Sequence, residues 1–109
     1  MNTYTYCHRQ DIGGETSPES LSEYSDSARQ LVVVASVANA LSLPFAVEST
    51  DVCGEMFADI IVECASEAHV VALLEGLRSN RLPCAGVVCG DHFPDYLAEA
   101  YADVCDFAT

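Results

Sequence analysis

Residues Phe57 to Cys64 alternate strictly. Ala58, Ile60, Val62 and Cys64 fall on one side, and Phe57, Asp59, Ile61 and Glu63 on the other. A period of two over eight residues predicts a strand. One side is entirely apolar while the other carries two carboxylates, so the strand belongs to a sheet with one packed face and one partly wet face. Such a sheet needs helices to cover its apolar side, which is what the rest of the chain must supply.

The other elements follow from the same kind of pattern. Asn2 to His8 alternates, with Asn2, Tyr4, Tyr6 and His8 opposite Thr3, Thr5 and Cys7, and predicts a first strand. Gly13-Gly14 marks a loop over Asp11 to Thr16. Ser17-Pro18 reads as a cap and first turn, with Thr16 and Glu19 as a competing capping box. Leu21, Tyr24, Ala28, Leu31, Ala35 and Ala38 then form one apolar stripe, predicting a long helix over about residues 18–42. Leu31 to Val34 alone could be a strand, but the stripe runs through both halves. Leu43-Pro44 ends the helix. Phe45 to Ser49 is a short strand, and Thr50 to Met56 a loop. Ser66 caps a helix over residues 67–79 with Val70, Val71, Leu74 and Leu77 as its stripe. Asn80 to Pro83 is a turn and Cys84 to Cys89 a strand. Pro94 opens a last helix to about Phe107, with Leu97, Ala100, Tyr101, Val104 and Ala108 inward. The order β-α-β-β-α-β-α predicts a single α+β domain over 1–109. Its expected arrangement is a ferredoxin-like sheet with two helices on one face plus an added C-terminal helix.

Charge decides which partners fit this scaffold. Seventeen Asp and Glu stand against four arginines and no lysine, for a net charge of −13. On a surface of roughly 5,900 Å² this is about one uncompensated negative per 450 Å². Direct binding to nucleic acid or an anionic membrane is excluded, since both require Lys and Arg. The N-terminus has no basic start followed by an apolar stretch, and Ser36, Asn39, Ser42 and Pro44 interrupt the most apolar segment, so a cytoplasmic protein is expected. Phe57, Ile61 and Phe93 leave apolar surface that makes the fold dimer-prone.

Catalytic and cofactor signatures are weak. Cys84, Cys89 and His92, with Cys7-His8, have metal-ligand chemistry, but no paired CxxC spacing exists, and buried small hydrophobes account for the cysteines. Cys89, Asp91 and His92 lie within four residues, yet nucleophilic constellations are normally assembled from distant positions. Six cysteines in a chain able to build its own core read as reduced thiols. No glycine loop followed by Lys and no EF-hand spacing occurs. The expectation is a protein that is not an enzyme and uses no cofactor or metal.

Acidic rows carry the main signal. Asp95, Glu99, Asp103 and Asp106 recur at helical spacing opposite the apolar stripe, with no basic residue in the same segment. Glu19, Glu23 and Asp26 do the same on the first helix. Like charges one turn apart cost about 0.2–0.5 kcal/mol per pair, so stability alone does not predict them. Carboxylates rising about 6 Å per step match phosphate in sign and rough spacing. In size, acidity and lack of catalytic motifs the chain resembles phage-encoded inhibitors of host defence, DNA mimics and anti-CRISPR proteins among them. That resemblance implies an inhibitor that binds a basic, nucleic-acid-binding partner such as a CRISPR effector complex and blocks its nucleic-acid or target-recognition surface. The alternative is a halophilic or regulatory oligomeric module without catalytic activity.

Overall fold

The computed structural model describes residues 4–11, 18–53, 55–81, 86–90 and 94–108, leaving out the side chains of residues 11, 18–28, 50, 52, 55, 56 and 108. The elements are β1 (Tyr4–Asp11), α1 (Pro18–Ala40), β2 (Phe45–Val52), β3 (Glu55–Cys64), α2 (Glu67–Ser79), β4 (Gly86–Gly90), α3 (Asp95–Ala100) and β5 (Cys105–Ala108). Among the described residues the fold is α+β, with five strands in one mixed sheet and three helices. Strand order is β2-β3-β1-β4-β5. The β2–β3, β3–β1 and β1–β4 pairs are antiparallel, and β5 lies parallel to β4.

The alternation expected for β1 and β3 governs the packing. Tyr4, Tyr6, Ile60, Val62, Cys64 and Val88 turn to the side where Val34 and Ala38 of α1 and Val70, Leu73, Leu74 and Leu77 of α2 complete the core. Among the described side chains of α1, Val34 and Ala38 are fully buried, so the stripe runs Leu31, Val34, Ala38 and Ala35 is only partly covered. The Leu31–Val34 run is helical. Two glycines allow close approach. A Cβ on Gly76 would lie 2.5 Å from Val37 of α1, and one on Gly86 would run into the Tyr6 ring.

Helix ends obey local chemistry. Leu43 N bonds Ala38 O (2.8 Å) and Ser42 N bonds Asn39 O (3.1 Å), with Ser42 at φ 58°. This is a Schellman stop in which Ser holds the left-handed position usually given to Gly, and buried Leu43 and Ala38 supply its apolar contact. Ser66 caps α2 by accepting from His69 N. At the β2–β3 hairpin Val52 pairs with Glu55 and Cys53 holds φ 53°, so most of the expected loop over Thr50–Met56 is strand.

The largest difference lies at the C-terminus. The expected helix to Phe107 ends at Ala100, and the chain turns into β5. Leu97, Tyr101 and Val104 are buried as the helical stripe required, while Ala100 is exposed. The hydrogen-bonding edge of β4 is what competes with the helix there. Pairing with it buries Cys105 and packs Phe107 against the core, leaving Asp106 exposed between them.

Candidate partner-binding surface

The face of the sheet turned away from α1 and α2 is built from the other half of each alternation. In register across it lie Ala46, Ile61, Cys7 and Val87, then Asp106 of β5. Glu48, Asp59 and Arg9 form the next row, and Glu63, Thr5 and Cys89 lie on the other side. Asp59 is 6% exposed, yet its charge is satisfied: Arg9 Nε donates to Oδ1 (2.7 Å) and Nη2 to Oδ2 (2.9 Å). The hydrogen bonds from Arg9 hold the Asp59 carboxyl below its ordinary range, against the opposing pull of burial. The same guanidinium lies over the Phe57 ring, 5.2 Å from its centroid. Phe57 and Ile61 are half-buried, and Phe93 lies outside the described residues.

The acidic row expected on the last helix is divided among three elements. Asp95 and Glu99 are exposed on α3. Asp103 sits in the following turn, gripped by Arg78 of α2 through Nε (3.2 Å) and Nη2 (2.7 Å), and that hydrogen bonding lowers its pKa. Arg78 Nη2 also donates to Ala100 O (2.7 Å), and its guanidinium stacks 4.8 Å from the Tyr101 ring centroid. Tyr101 in turn donates to Glu75 Oε1 (2.8 Å). Asp103 is therefore part of a clamp that fixes the turn into β5, neutralised by a residue 25 positions away. Asp106 is exposed on the open sheet face. Glu19, Glu23 and Asp26 belong to α1, and their side chains lie outside the described set.

Glu48 was not singled out in the sequence, although its alternation with Ala46 could have placed it. Together with Glu63 it lines a groove of about 350 Å³ walled by Pro44, Phe45, Ala46 and Ile61. Pro44 and Glu63 also border a cleft of about 500 Å³ floored by Tyr4, Leu43 and Cys64, with His69 at its rim. Exposed acids thus stand beside exposed apolar surface along β2.

Two thiols, Cys7 and Cys64, have surroundings that disfavour the thiolate. Cys7 has its pKa raised first by burial and then by Asp59, and burial pushes Cys64 to about 11. Cys7, Cys53, Cys64, Cys89 and Cys105 are unbridged. Cys7 and His8 point to opposite sheet faces. Asp91, His92 and Cys84 lie outside the described residues. Among the described residues no three His, Cys, Asp or Glu side chains are grouped as metal ligands. His8 is fully buried among the helices. Its Nε2 accepts from Gln10 Nε2 (2.6 Å), which also donates to Gln30 Oε1 (2.9 Å), leaving Nδ1–H to face the Tyr6 hydroxyl at 3.3 Å. Burial lowers its pKa.

Among the described residues no helix is long and apolar enough to cross a membrane. Comparison with protein-family models, with curated proteins and with solved structures finds no match to this chain.

Proposed function

We propose that this chain is a non-catalytic, cytoplasmic inhibitor that binds a basic, nucleic-acid-binding protein, a CRISPR effector complex being the partner class implied by its resemblance to phage anti-CRISPR proteins and DNA mimics. We also infer that β1 to β4 with α1 and α2 are a ferredoxin-like unit, to which β5 adds a parallel edge strand. The observation that carries the functional reading is how the arginines are used. Arg9 is committed to Asp59 and Arg78 to Asp103, so two of the four positive charges are consumed in internal pairs. Asp95, Glu99, Asp106, Glu48 and Glu63 remain exposed. A surface of this sign steers cationic partners and repels polyanions.

The test measures affinity for a purified CRISPR effector complex and for an isolated basic DNA-binding domain, across a salt series, with the chain and its Asp95→Lys/Glu99→Lys variant. The reading expects binding that weakens steeply with salt and at least tenfold loss in the variant, with an unchanged thermal melt. Glu19, Glu23 and Asp26, reversed together, form the second set. Asp103 is left intact because its reversal would break the Arg78 clamp. Absence of binding to any basic protein sinks the reading.

A further inference from the structure

β2 forms one end of the sheet, with β3 as its neighbour. The phase of its backbone follows from one hydrogen bond, Glu63 N to Pro44 O at 2.9 Å. Pro44 stands opposite Glu63, and in an antiparallel ladder every second residue turns its N–H and C=O to the partner. Ala46 and Glu48 therefore bond β3, while Phe45, Val47 and Ser49 turn their backbone groups outward. The exposed side chains sort themselves on the two sides of this edge. Phe45 (41% exposed) and Val47 (60% exposed) continue the apolar face of Val62 and Ile60 beyond the cover of the helices. Ala46 and Glu48 lie on the other face, beside the groove that ends at Glu63.

Natural edges are usually short, bulged, or guarded by Pro or Lys. Over its eight residues β2 has neither Pro nor Lys. What it does carry is selective. Two copies paired antiparallel about Val47 or Glu48 would bring their Glu48 carboxylates together in molecules that each carry −13. A cationic strand meets no such repulsion.

We propose that the β2 edge receives an extended segment of the basic partner as a sixth strand, with apolar residues opposite Phe45 and Val47 and Arg or Lys opposite Glu48. Main-chain hydrogen bonds supply affinity, and the alternating side chains supply selection. This inference rests on the reading that the partner is basic.

The probe is a fluorescent nine-residue peptide of alternating Val and Arg, used with two controls. One has the valine nitrogens methylated, which keeps charge and side chains but removes the donors facing Val47. The other has the same residues in two blocks. Binding to the whole chain at physiological salt is expected to be at least tenfold tighter for the alternating peptide than for either control. Val47→Pro removes an outward N–H and leaves the β2–β3 bonds in place, so it is expected to abolish that preference without changing the melt. Should Val47→Pro fail to fold, the methylated peptide against the native chain still decides. Equal binding of all three peptides overturns the proposal. So does a native dimer that Val47→Pro dissociates, which would assign the edge to a second copy. Loss of the peptide preference with retained, salt-sensitive binding to a basic DNA-binding domain rejects the edge but spares the functional reading. No binding to any cationic probe rejects both.

Discussion

At one edge of the sheet, β5 contributes four residues, two of which, Cys105 and Phe107, turn toward the core. The Arg78 clamp fixes the turn that leads into it, through Asp103 and Ala100 O. At the other edge, β2 runs for eight residues with Phe45 and Val47 exposed on its apolar side. The same sheet thus ends on one side in a short strand held by packing and an ion pair, and on the other in a strand twice as long with exposed apolar side chains. A short strand is one of the ways in which natural sheets blunt an edge, so the longer β2 edge, with Phe45 and Val47 exposed, marks where a binding surface is to be sought.

The largest expected effect comes from breaking the β5 side. Leu97 is fully buried and anchors α3, the element that delivers β5 to β4. Leu97→Ala should cost about 2–5 kcal/mol in urea unfolding. Val47→Ala on the open edge should stay within about 0.5 kcal/mol, since its side chain is already mostly in water. Similar costs at the two positions would mean that β2 is covered in solution.

Gly86 offers a more local break. It pairs with His8 on β1 and with Cys105 on β5, and a Cβ there meets the Tyr6 ring. Gly86→Ala should cost about 1–3 kcal/mol, because β4 and β5 must move away from β1. Amide exchange should quicken in β4 and β5 more than in β2. Equal quickening at both edges would show that the sheet opens as one unit.

These positions also show how much could be read from the sequence. The faces of β1 and β3 were legible because each side chain's environment follows from its parity, and both strands are central. The C-terminal segment was not. Leu97, Tyr101 and Val104 satisfy a helical stripe and are indeed buried, but local spacing contains no term for the unpaired edge of β4, which draws Cys105 to Ala108 into the sheet. The acidic row failed for the same reason. Asp103 and Asp106 are one helical turn apart only if the helix continues, and the neutralising Arg78 is distant in sequence. Asp95 and Glu99 kept their expected helix because they precede the break.

pH separates the covered interior from the open surface. His8 is buried and its pKa is lowered from 6.5 by loss of water. Above that value His8 is neutral both folded and unfolded, and its environment costs nothing. As pH falls below 6.5 the unfolded chain takes up a proton that the fold refuses, so stability declines until the lowered folded pKa is reached. The slope is at most about 1.4 kcal/mol per pH unit for one such proton. Asp59, whose pKa is also lowered, adds a second decline at more acid pH, as protonation breaks its bonds from Arg9. His8→Phe should flatten urea-derived stability between pH 6.5 and the lower window while leaving the Asp59 limb in place. An unchanged slope in that variant would assign the first decline to other groups.

The smallest expected effect sits where α1 hands the chain to the open edge. Ser42 holds φ 58°, and the turn it makes delivers Leu43 to the core and Pro44 to the start of β2. A side chain in the left-handed region carries a steric cost that glycine avoids. Glycine also enlarges the unfolded ensemble, which offsets part of the gain. Ser42→Gly should therefore stabilise by about 0.5–1 kcal/mol, with the Leu43 N to Ala38 O bond preserved. Because that bond and the Glu63 N to Pro44 O bond set the phase of β2, the variant should leave the outward groups of Phe45 and Val47 unchanged. Its affinity for an alternating cationic strand should equal that of the native chain. Loss of stability on Ser42→Gly would show that the serine side chain makes a contact worth more than the strain it bears.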